Sequence, residues 1–249
     1  MHRFYLPPEQ CAHPVLFLGG REAHHAMHVL RLRDGEQISV LDGVGNEYIS
    51  QVTGHDRDKL QLKVLRTHQT PAPPCKIRLI QAVPKGKIIE SIIQKATELG
   101  VSAIVPLLSE RVVIELDAKH GAQKVVKWQA IAIEAVKQCG MPWLPKIETP
   151  TTPRAFLAGK EHAELSLIGS LQSNSRHPHE FLSAFHAEHR RMPNSIHVWI
   201  GPEGDFTVSE VREIEASSAK PINLGPRVLR VETAAIYCLS FLDYELRRS

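Results

Sequence analysis

The sequence predicts an α/β protein in two parts: a small β-barrel, then a larger domain with a parallel sheet flanked by helices. Three observations predict this architecture. The three prolines in the segment Thr-Pro-Ala-Pro-Pro at residues 70–74 remove backbone donors and favour an extended linker. Before it, short apolar runs alternate with turns, and after it strand-like and helix-like runs alternate. We therefore place the domains at residues 1–72 and 73–249.

The first domain is predicted to be a small β-barrel or meander. Three short runs with partial alternation of apolar and polar residues are typical of strands, at residues 37–41, 47–53 and 59–65. Segments that contain glycine and aspartate separate these runs, as expected for turns.

One helix is predicted within this domain, over residues 23–32. Ala26, Val29 and Leu30 have the spacing of a face that packs on the core. The opposite stripe carries cationic or titratable side chains: Arg21, His24, His28 and Arg31. This stripe is either a solvated polar face or a surface that contacts RNA, and the sequence leaves both interpretations open.

In the second domain, buried-strand runs alternate with amphipathic helices. Strands are expected at residues 77–83, 101–108, 164–168, 195–200 and 221–224. Helices are expected at residues 87–99, 123–139, 178–190, 207–217 and 233–246, with a short one that Thr152 and Pro153 begin. Gly100 and Gly140 end two of these helices, because a left-handed cap needs no Cβ. Thr207 and Glu210 form a capping box at the start of another.

The composition excludes several classes of protein. A hydrophobic fraction of 43% with a net charge of +3 is too apolar and too weakly charged for a disordered chain. No run approaches the roughly 20 apolar residues of a membrane span, and the first residues lack the apolar run of a signal peptide. We therefore expect a cytoplasmic protein without a membrane partner.

Metal and common nucleotide motifs are not expected either. The four cysteines form no C-x-x-C pair, and no carboxylate or cysteine obviously completes a metal site with His24, His25 and His28. The motifs G-x-G-x-x-G, G-x-x-x-x-G-K-[ST] and G-x-S-x-G are missing. The sequence therefore does not favour a Rossmann, P-loop or α/β-hydrolase site.

Two glycine-proline loops follow predicted strands, and ligands bind at such strand exits in parallel sheets. They lie at residues 200–205 and 224–234. Glycine and proline there permit tight turns and close approach of the backbone to a ligand. Each loop alone is compatible with a plain turn, but the charged Glu203, Arg230 and Glu232 favour a site. We expect the strands before the two loops to be neighbours in the sheet.

These loops resemble the signature of the RsmE-type 16S ribosomal RNA uridine-N3 methyltransferases, which belong to the SPOUT class. The resemblance is carried by Gly201-Pro-Glu-Gly204 and Leu224-Gly-x-Arg-x-Leu-Arg-x-Glu-Thr-Ala234. Further matches lie at Arg3-Phe4, His24, Val29-Leu30-Arg31, Gly35, Lys85-Gly86-Lys87, Ile93-Gln-Lys-Ala-Thr-Glu-Leu-Gly100, Pro106, Glu110-Arg111, Glu134-Ala135 and Gln138. The chain departs from the family pattern at Met141, where an arginine is usual, and at Asp205, where a second glycine is usual.

The resemblance implies a fold, a cofactor and a substrate. It implies a PUA-like N-terminal β-barrel that binds RNA, a SPOUT-type α/β domain knotted as a deep trefoil, and a homodimer. It also implies S-adenosyl-L-methionine as the methyl donor and a uridine N3 of 16S rRNA as the acceptor. We expect the assembled small ribosomal subunit as substrate, because aromatic residues make up only 6% of the chain and single-strand binders need stacking platforms.

The resemblance and the loop chemistry together suggest candidate residues. Those expected to contact the cofactor are Leu171, Ile200, Gly201, Pro202, Glu203, Gly204, Leu224, Gly225, Val228, Leu229, Arg230, Thr233 and Ala234. Arg230 is expected to contact a uracil oxygen or a phosphate, and Glu232 and Glu203 are competing candidates for the proton acceptor. Either carboxylate is alternatively a helix cap or a loop contact.

A second set of residues is expected to contact RNA: Arg3, His24, His28, Arg31, Arg33, Lys95 and Arg111. For Lys95 and Arg111, a dimer contact or an ion pair on a helix surface is the alternative. Two other functions also stay open, a SPOUT methyltransferase that acts on another base or on ribose, and a non-catalytic RNA-binding factor in ribosome assembly. Binding of S-adenosyl-L-methionine would separate the last of these from the enzymes.

Overall fold

Two sheets organise the protein, and the computed structural model describes residues 1–56, 58–112, 118–159, 161–171 and 174–247, with the backbone alone for 118–120. The chain divides into two units. The first comprises Met1–Ala72 and Ile133–Leu144, and the second comprises Pro73–Ala132 and Pro145–Ser249. The assignment of separate functions to residues 1–72 and 73–249 stays a prediction.

The first unit is built on a five-stranded sheet with the order β1-β3-β4-β5-β2. Its strands are β1 (Arg3–Tyr5), β2 (Val15–Leu18), β3 (Gln37–Leu41), β4 (Asn46–Asp56) and β5 (Lys59–Gln69). Only β1 and β3 pair in parallel, and the other pairs are antiparallel. Phe4, Leu16, Ile38, Val40 and Leu62 are fully buried and belong to its core.

The helix predicted at residues 23–32 is present but irregular. It consists of α1 (Gly20–His24) followed by a π-helical turn at His25–Val29. The backbone N–H of Leu30 donates to the carbonyl of His25, five residues earlier, at 3.0 Å. This wider turn rotates the following residues, so Val29 is 60% exposed and the prediction that it packs on the core is wrong.

Residues 133–144 pack within the first unit although they follow the linker in sequence. The Lys137 ammonium bonds to Glu22 at 2.8 Å, and the Trp143 indole N–H donates to the carbonyl of Thr70 at 3.2 Å. The guanidinium of Arg3 donates to the carbonyl of Gln138 at 3.3 Å. The proline-rich segment therefore marks only one of the places where the chain passes from one unit to the other.

The second unit contains a six-stranded parallel sheet with the order β11-β9-β10-β6-β7-β8. Its strands are β6 (Lys76–Ala82), β7 (Ala103–Leu107), β8 (Lys146–Ile147), β9 (Leu165–Gly169), β10 (Ser195–Ile200) and β11 (Lys220–Ile222). Its helices are α2 (Ile88–Glu98), α3 (Ala118–Cys139), α4 (Pro153–Leu157), α5 (Pro178–His189), α6 (Val208–Ala216) and α7 (Val231–Arg247), of which α3 continues into the first unit. The prediction of a parallel α/β sheet is confirmed.

The prediction that the strands before the two glycine-proline loops are neighbours is wrong. β9 lies between β10 and β11 and pairs with both, since Trp199 aligns with Ile168 and Ile222 aligns with Gly169. β9 therefore occupies the edge of β10 opposite β6, and β11 joins the sheet only through β9. The exits of three strands, and not two, therefore meet at this end of the sheet.

Local signals in the sequence set several helix ends as predicted. Gly100 and Gly140 take the left-handed conformation, with φ of +77° and +79°. The Thr207 hydroxyl accepts from the backbone N–H of Glu210, and the Glu210 carboxylate accepts from that of Thr207 at 2.8 Å, which completes the capping box. Among the described residues, no helix combines the length and the apolar character that crossing a membrane would require.

The stability of the second unit should depend on His197, which lies in the central strand β10 and is 9% exposed. Burial, assisted by the charge of Arg78 and opposed by that of Glu161, lowers the pKa of His197 to about 4. The unfolded chain protonates this histidine near its ordinary pKa of about 6.5. The unfolded state therefore binds more protons between these values, and the free energy of unfolding should fall as the pH decreases from about 6.5 to about 4.

We predict that His197→Gln removes most of this dependence, which urea unfolding at a series of pH values would measure. The exposed His186→Gln is the matched control and should keep the slope of the parent chain. Glu164 contributes a separate loss of stability as the pH falls from about 4.5 to about 2, because its hydrogen bonds with Arg191 lower the pKa of the carboxyl to about 2. An unchanged slope in His197→Gln between pH 6.5 and 4 would contradict the prediction.

Candidate active site

A crevice of about 790 Å³ opens at the carboxyl ends of β9, β10 and β11. Three strand exits line it, at residues 169–171, 200–203 and 223–232, together with Ile88, Ser175, Asp205 and Ala234. This is the edge at which ligands bind in open parallel sheets. The crevice therefore lies at the strand exits where the sequence analysis placed a ligand site.

Most residues predicted to contact a cofactor line this crevice. They are Leu171, Ile200, Gly201, Pro202, Glu203, Leu224, Gly225, Val228, Leu229, Arg230 and Ala234. Gly204 and Thr233 do not line it: the carbonyl of Gly204 accepts from the Arg111 guanidinium, and Thr233 is exposed on the first turn of α7. The spacing of glycines and the predicted start of a helix do not show which residues line the crevice and which do not.

The loop after β10 is held by the exits of two neighbouring strands. The Glu203 carboxylate accepts from the backbone N–H of Lys85, after β6, at 2.9 Å. Beyond β6, after β7, the Arg111 guanidinium donates to the carbonyl of Gly204, and the Glu210 carboxylate of α6 accepts from the backbone N–H of Glu110 at 2.9 Å. These contacts pre-form the loop, which lowers the entropy cost of binding a ligand.

Asp205 has a left-handed backbone with φ of +61°, at the position where the resembled family usually has glycine. Aspartate tolerates this conformation better than most residues, because its side chain can bond locally. Here its carboxylate accepts from the backbone N–H of Phe206 at 2.8 Å. The N-cap of α6 is Thr207, so Asp205 does not cap that helix and instead adds a carboxylate to the wall of the crevice.

The loop after β11 presents backbone and cations to the crevice. The Asn223 side chain accepts from the backbone N–H of Gly225 at 2.7 Å and fixes the turn. Gly225 has a φ of +109°, and a Cβ there would meet no atom within 4 Å, so this glycine faces open space. Arg230 is exposed and takes part in no ion pair among the described residues, so it is not held by Glu232.

Several lining residues were not predicted. The exit of β9 contributes Gly169 and Ser170, and a Cβ on Gly169 would lie 3.4 Å from Ile200. The other unpredicted lining residues are Ile88, Ser175, Asn223, Pro226, Arg227 and Val231. Because Gly169 and Ser170 directly follow a predicted strand, the strand-exit rule could have found them. Ile88, the first residue of α2, is half-buried at the crevice.

The candidate RNA contacts are distributed over both units. In the first unit His24, His28, Arg31 and Arg33 are exposed, and the rings of His24 and His28 lie 4.9 Å apart. Arg3 is exposed but donates to Gln138. In the second unit Lys95 is exposed on α2, whereas Arg111 bonds to the loop after β10. In the part of the chain that the structure describes, no three His, Cys, Asp or Glu side chains converge as a metal site.

Comparison with known families assigns both units. A family model described as an RNA methyltransferase domain matches residues 71–243, and one described as an RNA methyltransferase PUA domain matches residues 18–65. The PUA-like assignment made from the resemblance is thereby confirmed. The chain is 31% identical to ribosomal RNA small subunit methyltransferase E of Bacillus subtilis, over 93% of this chain and 91% of that protein. It is 33% identical to the protein of the same name from Synechocystis, over 97% of this chain and 77% of that protein.

Solved structures agree with this assignment. A methyltransferase from Legionella pneumophila, in complex with S-adenosylmethionine, superposes with a TM-score of 0.87 at 31% identity, over 98% of this chain and 97% of that one. Ribosomal RNA small subunit methyltransferase E from Neisseria gonorrhoeae, also bound to S-adenosylmethionine, superposes with a TM-score of 0.84 at 28% identity, over 98% of each chain. The match to the family extends over both units and includes the two glycine-proline loops, so the chain belongs to the ribosomal RNA small subunit methyltransferase E family.

Proposed function

We propose that this chain transfers the methyl group of S-adenosyl-L-methionine to N3 of a uridine in 16S rRNA of the small ribosomal subunit. The observation that carries the proposal is the crevice at the exits of β9, β10 and β11, built from the two loops that bear the family signature. Relatives of the same family are named for small-subunit rRNA, and two similar structures hold S-adenosylmethionine. The uridine N3 specificity comes from the resemblance of the signature residues.

The crevice fits a cofactor of this kind. Its volume of about 790 Å³ is within the usual range of small-molecule sites. Ile200, Leu224 and Leu229 supply an apolar wall, and Gly225 leaves open space where a side chain would intrude. Backbone groups of the pre-formed loops are the natural hydrogen-bond partners for the adenosine part, because glycine and proline offer no side-chain donors. When bound, S-adenosyl-L-methionine supplies an electrophilic methyl group on a sulfonium cation.

The side chains of the crevice suit the remaining chemistry. The uracil N3–H must lose a proton as the ring nitrogen attacks, and negative charge is shared with the uracil oxygens. We assign Glu232 as the proton acceptor, because it lines the crevice half-buried on the first turn of α7. Arg230, which lines the same crevice and has no ion pair among the described residues, would stabilise an oxygen or a flanking phosphate. The carboxylate of Asp205 would favour the cationic cofactor.

The proposal includes partners that position the substrate. The PUA-like unit would bind RNA through Arg31, Arg33 and the neighbouring histidines, without much readout of sequence. A homodimer is proposed because Tyr237 and Tyr244 on α7 remain exposed in the single chain. The trefoil knot, the assembled subunit as substrate and a cytoplasmic location complete the proposal. Mass spectrometry of small-subunit rRNA from cells with and without the protein tests it, since loss of one methyluridine is expected and an unchanged rRNA would overturn it.

Gly225→Val should block the cofactor. Valine is strained at a φ of +109°, and its side chain would enter the open space of the crevice. We expect affinity for S-adenosyl-L-methionine, measured by calorimetry, to fall by about a hundredfold or more. Gly35→Val is the control, since Gly35 also has a positive φ of +91° and open space but lies in the first unit. Affinity near that of the parent chain in Gly225→Val would remove this loop from the cofactor site.

Arg230→Ala should separate chemistry from binding. We expect the single-turnover methylation rate to fall about 10²-fold or more, the scale of losing one preorganised donor. Cofactor affinity should stay within about threefold, because backbone groups hold the cofactor. Arg230→Lys should recover only part of the rate, since a point charge does not reproduce the planar guanidinium.

Arg212→Ala, on an exposed arginine of α6 outside the crevice, is the control for loss of charge. If the cofactor affinity and the thermal stability of Arg230→Ala fall in parallel with its rate, Arg230 holds the loop and is not catalytic.

Arg31→Ala and Arg33→Ala should weaken binding of small-subunit rRNA. Each lost phosphate contact should reduce the slope of log K against log salt by roughly 0.7 to 0.9. Filter binding at several salt concentrations measures the slope, with Lys220→Ala in the second unit as a control of equal charge change. Affinity and slope equal to the control in both arginine variants would mean that this stripe is only a solvated surface.

A further inference from the structure

The Glu203 carboxylate joins two loops of the second unit. It lines the crevice on the loop after β10, and it accepts the backbone N–H of Lys85 at 2.9 Å on the loop after β6. The two strands pair directly along six residues, ending at Ile200 and Gln81, so their exits are adjacent. The Glu203 oxygen that accepts from this amide therefore makes a structural contact between the two loops.

The loop that Glu203 holds carries two lysines, Lys85 and Lys87. Both are exposed, and neither has an ion pair among the described residues. The next residue, Ile88, lines the crevice, so the loop borders the opening. Gly86 between them has a φ of +67°, a conformation that sets the direction of the loop.

Lys87 does not stabilise the fold locally. Lys87 is the N-cap residue of α2 and provides no side-chain cap, although aspartate, serine or asparagine would stabilise that end. A cation is also unfavourable near the N-terminal end of a helix. Because Lys87 is unfavourable for the stability of this helix end and borders the crevice, we expect its side chain to contact the ligand of the site.

We propose that Glu203 is a positioning residue that holds the loop of residues 84–87, so that Lys85 and Lys87 bind phosphates of the rRNA strand that presents the target base. The inference rests on the proposed function, because it assigns the side from which the rRNA approaches the crevice. The lysines contribute charge that neutralises the backbone of the RNA, and Glu203 contributes geometry. The proton acceptor is then Glu232 alone.

Binding of small ribosomal subunits tests the lysines without requiring turnover. Lys85→Ala and Lys87→Ala should each reduce the salt slope by roughly 0.7 to 0.9 and weaken binding, while affinity for S-adenosyl-L-methionine is retained. Lys76→Ala removes the same charge at the opposite end of β6 and is the matched control. If the lysine variants bind subunits as Lys76→Ala does, the inference is wrong.

Two substitutions at Glu203 test its role. Glu203→Gln keeps an oxygen that accepts from the Lys85 N–H, whereas Glu203→Ala does not. We expect the KM for subunits to rise about tenfold in Glu203→Ala and less than threefold in Glu203→Gln, with the pH dependence of the rate unchanged in Glu203→Gln. In a chain that lacks both lysines, Glu203→Ala should add little, because contacts that act together are not additive.

The outcomes separate this inference from the proposed function. If the parent chain transfers no methyl group from labelled S-adenosyl-L-methionine to small subunits, the proposed function fails whatever the lysines do. If the parent chain is active but Glu203→Gln loses as much rate as Glu203→Ala and the pH profile changes, Glu203 is the proton acceptor and the inference is overturned.

Discussion

Parallel pairing of β10 with β6 on one side and β9 on the other is the constraint on which the site depends. Because parallel strands end at the same edge, this pairing brings the exits of the central strands together, and β11 adds its own exit through β9. Both faces of β10 are buried along most of the strand, so a shift in its register would disrupt close packing on both sides of the sheet. Strand pairing in the core therefore fixes the position of the crevice, and the lining residues determine only its chemistry.

The loops can then be short and rich in glycine and proline because other parts of the sheet hold them. Arg111 and Glu110, after β7, and Lys85, after β6, all bond to the segment after β10. Most of these contacts use backbone atoms as one partner, which tolerates variation in neighbouring side chains. Arg111, which the sequence suggests as an RNA contact, donates instead to the carbonyl of Gly204 and helps to fix the loop after β10.

The sequence predicted the elements that have strong local signals and missed those that depend on distant partners. The strand at residues 195–200 and the capping box at Thr207 were predicted correctly, because burial and cap chemistry are local. The π-helical turn that exposes Val29 leaves no periodic signal in one turn. The position of β9 between β10 and β11 depends on pairing between segments that are distant in sequence, which no single segment encodes. Gly204 and Thr233 lie outside the lining of the crevice, which depends on tertiary packing and not on a local signal.

Asp205 contributes both an unusual backbone conformation and a negative charge to the loop after β10. Its left-handed backbone at φ of +61° is a conformation that glycine, asparagine and aspartate share. A glycine or asparagine at this position would therefore keep the same backbone, while the formal charge beside the crevice would change by one. The conformation of the loop does not fix the electrostatic potential at the crevice, which one side chain can alter by itself.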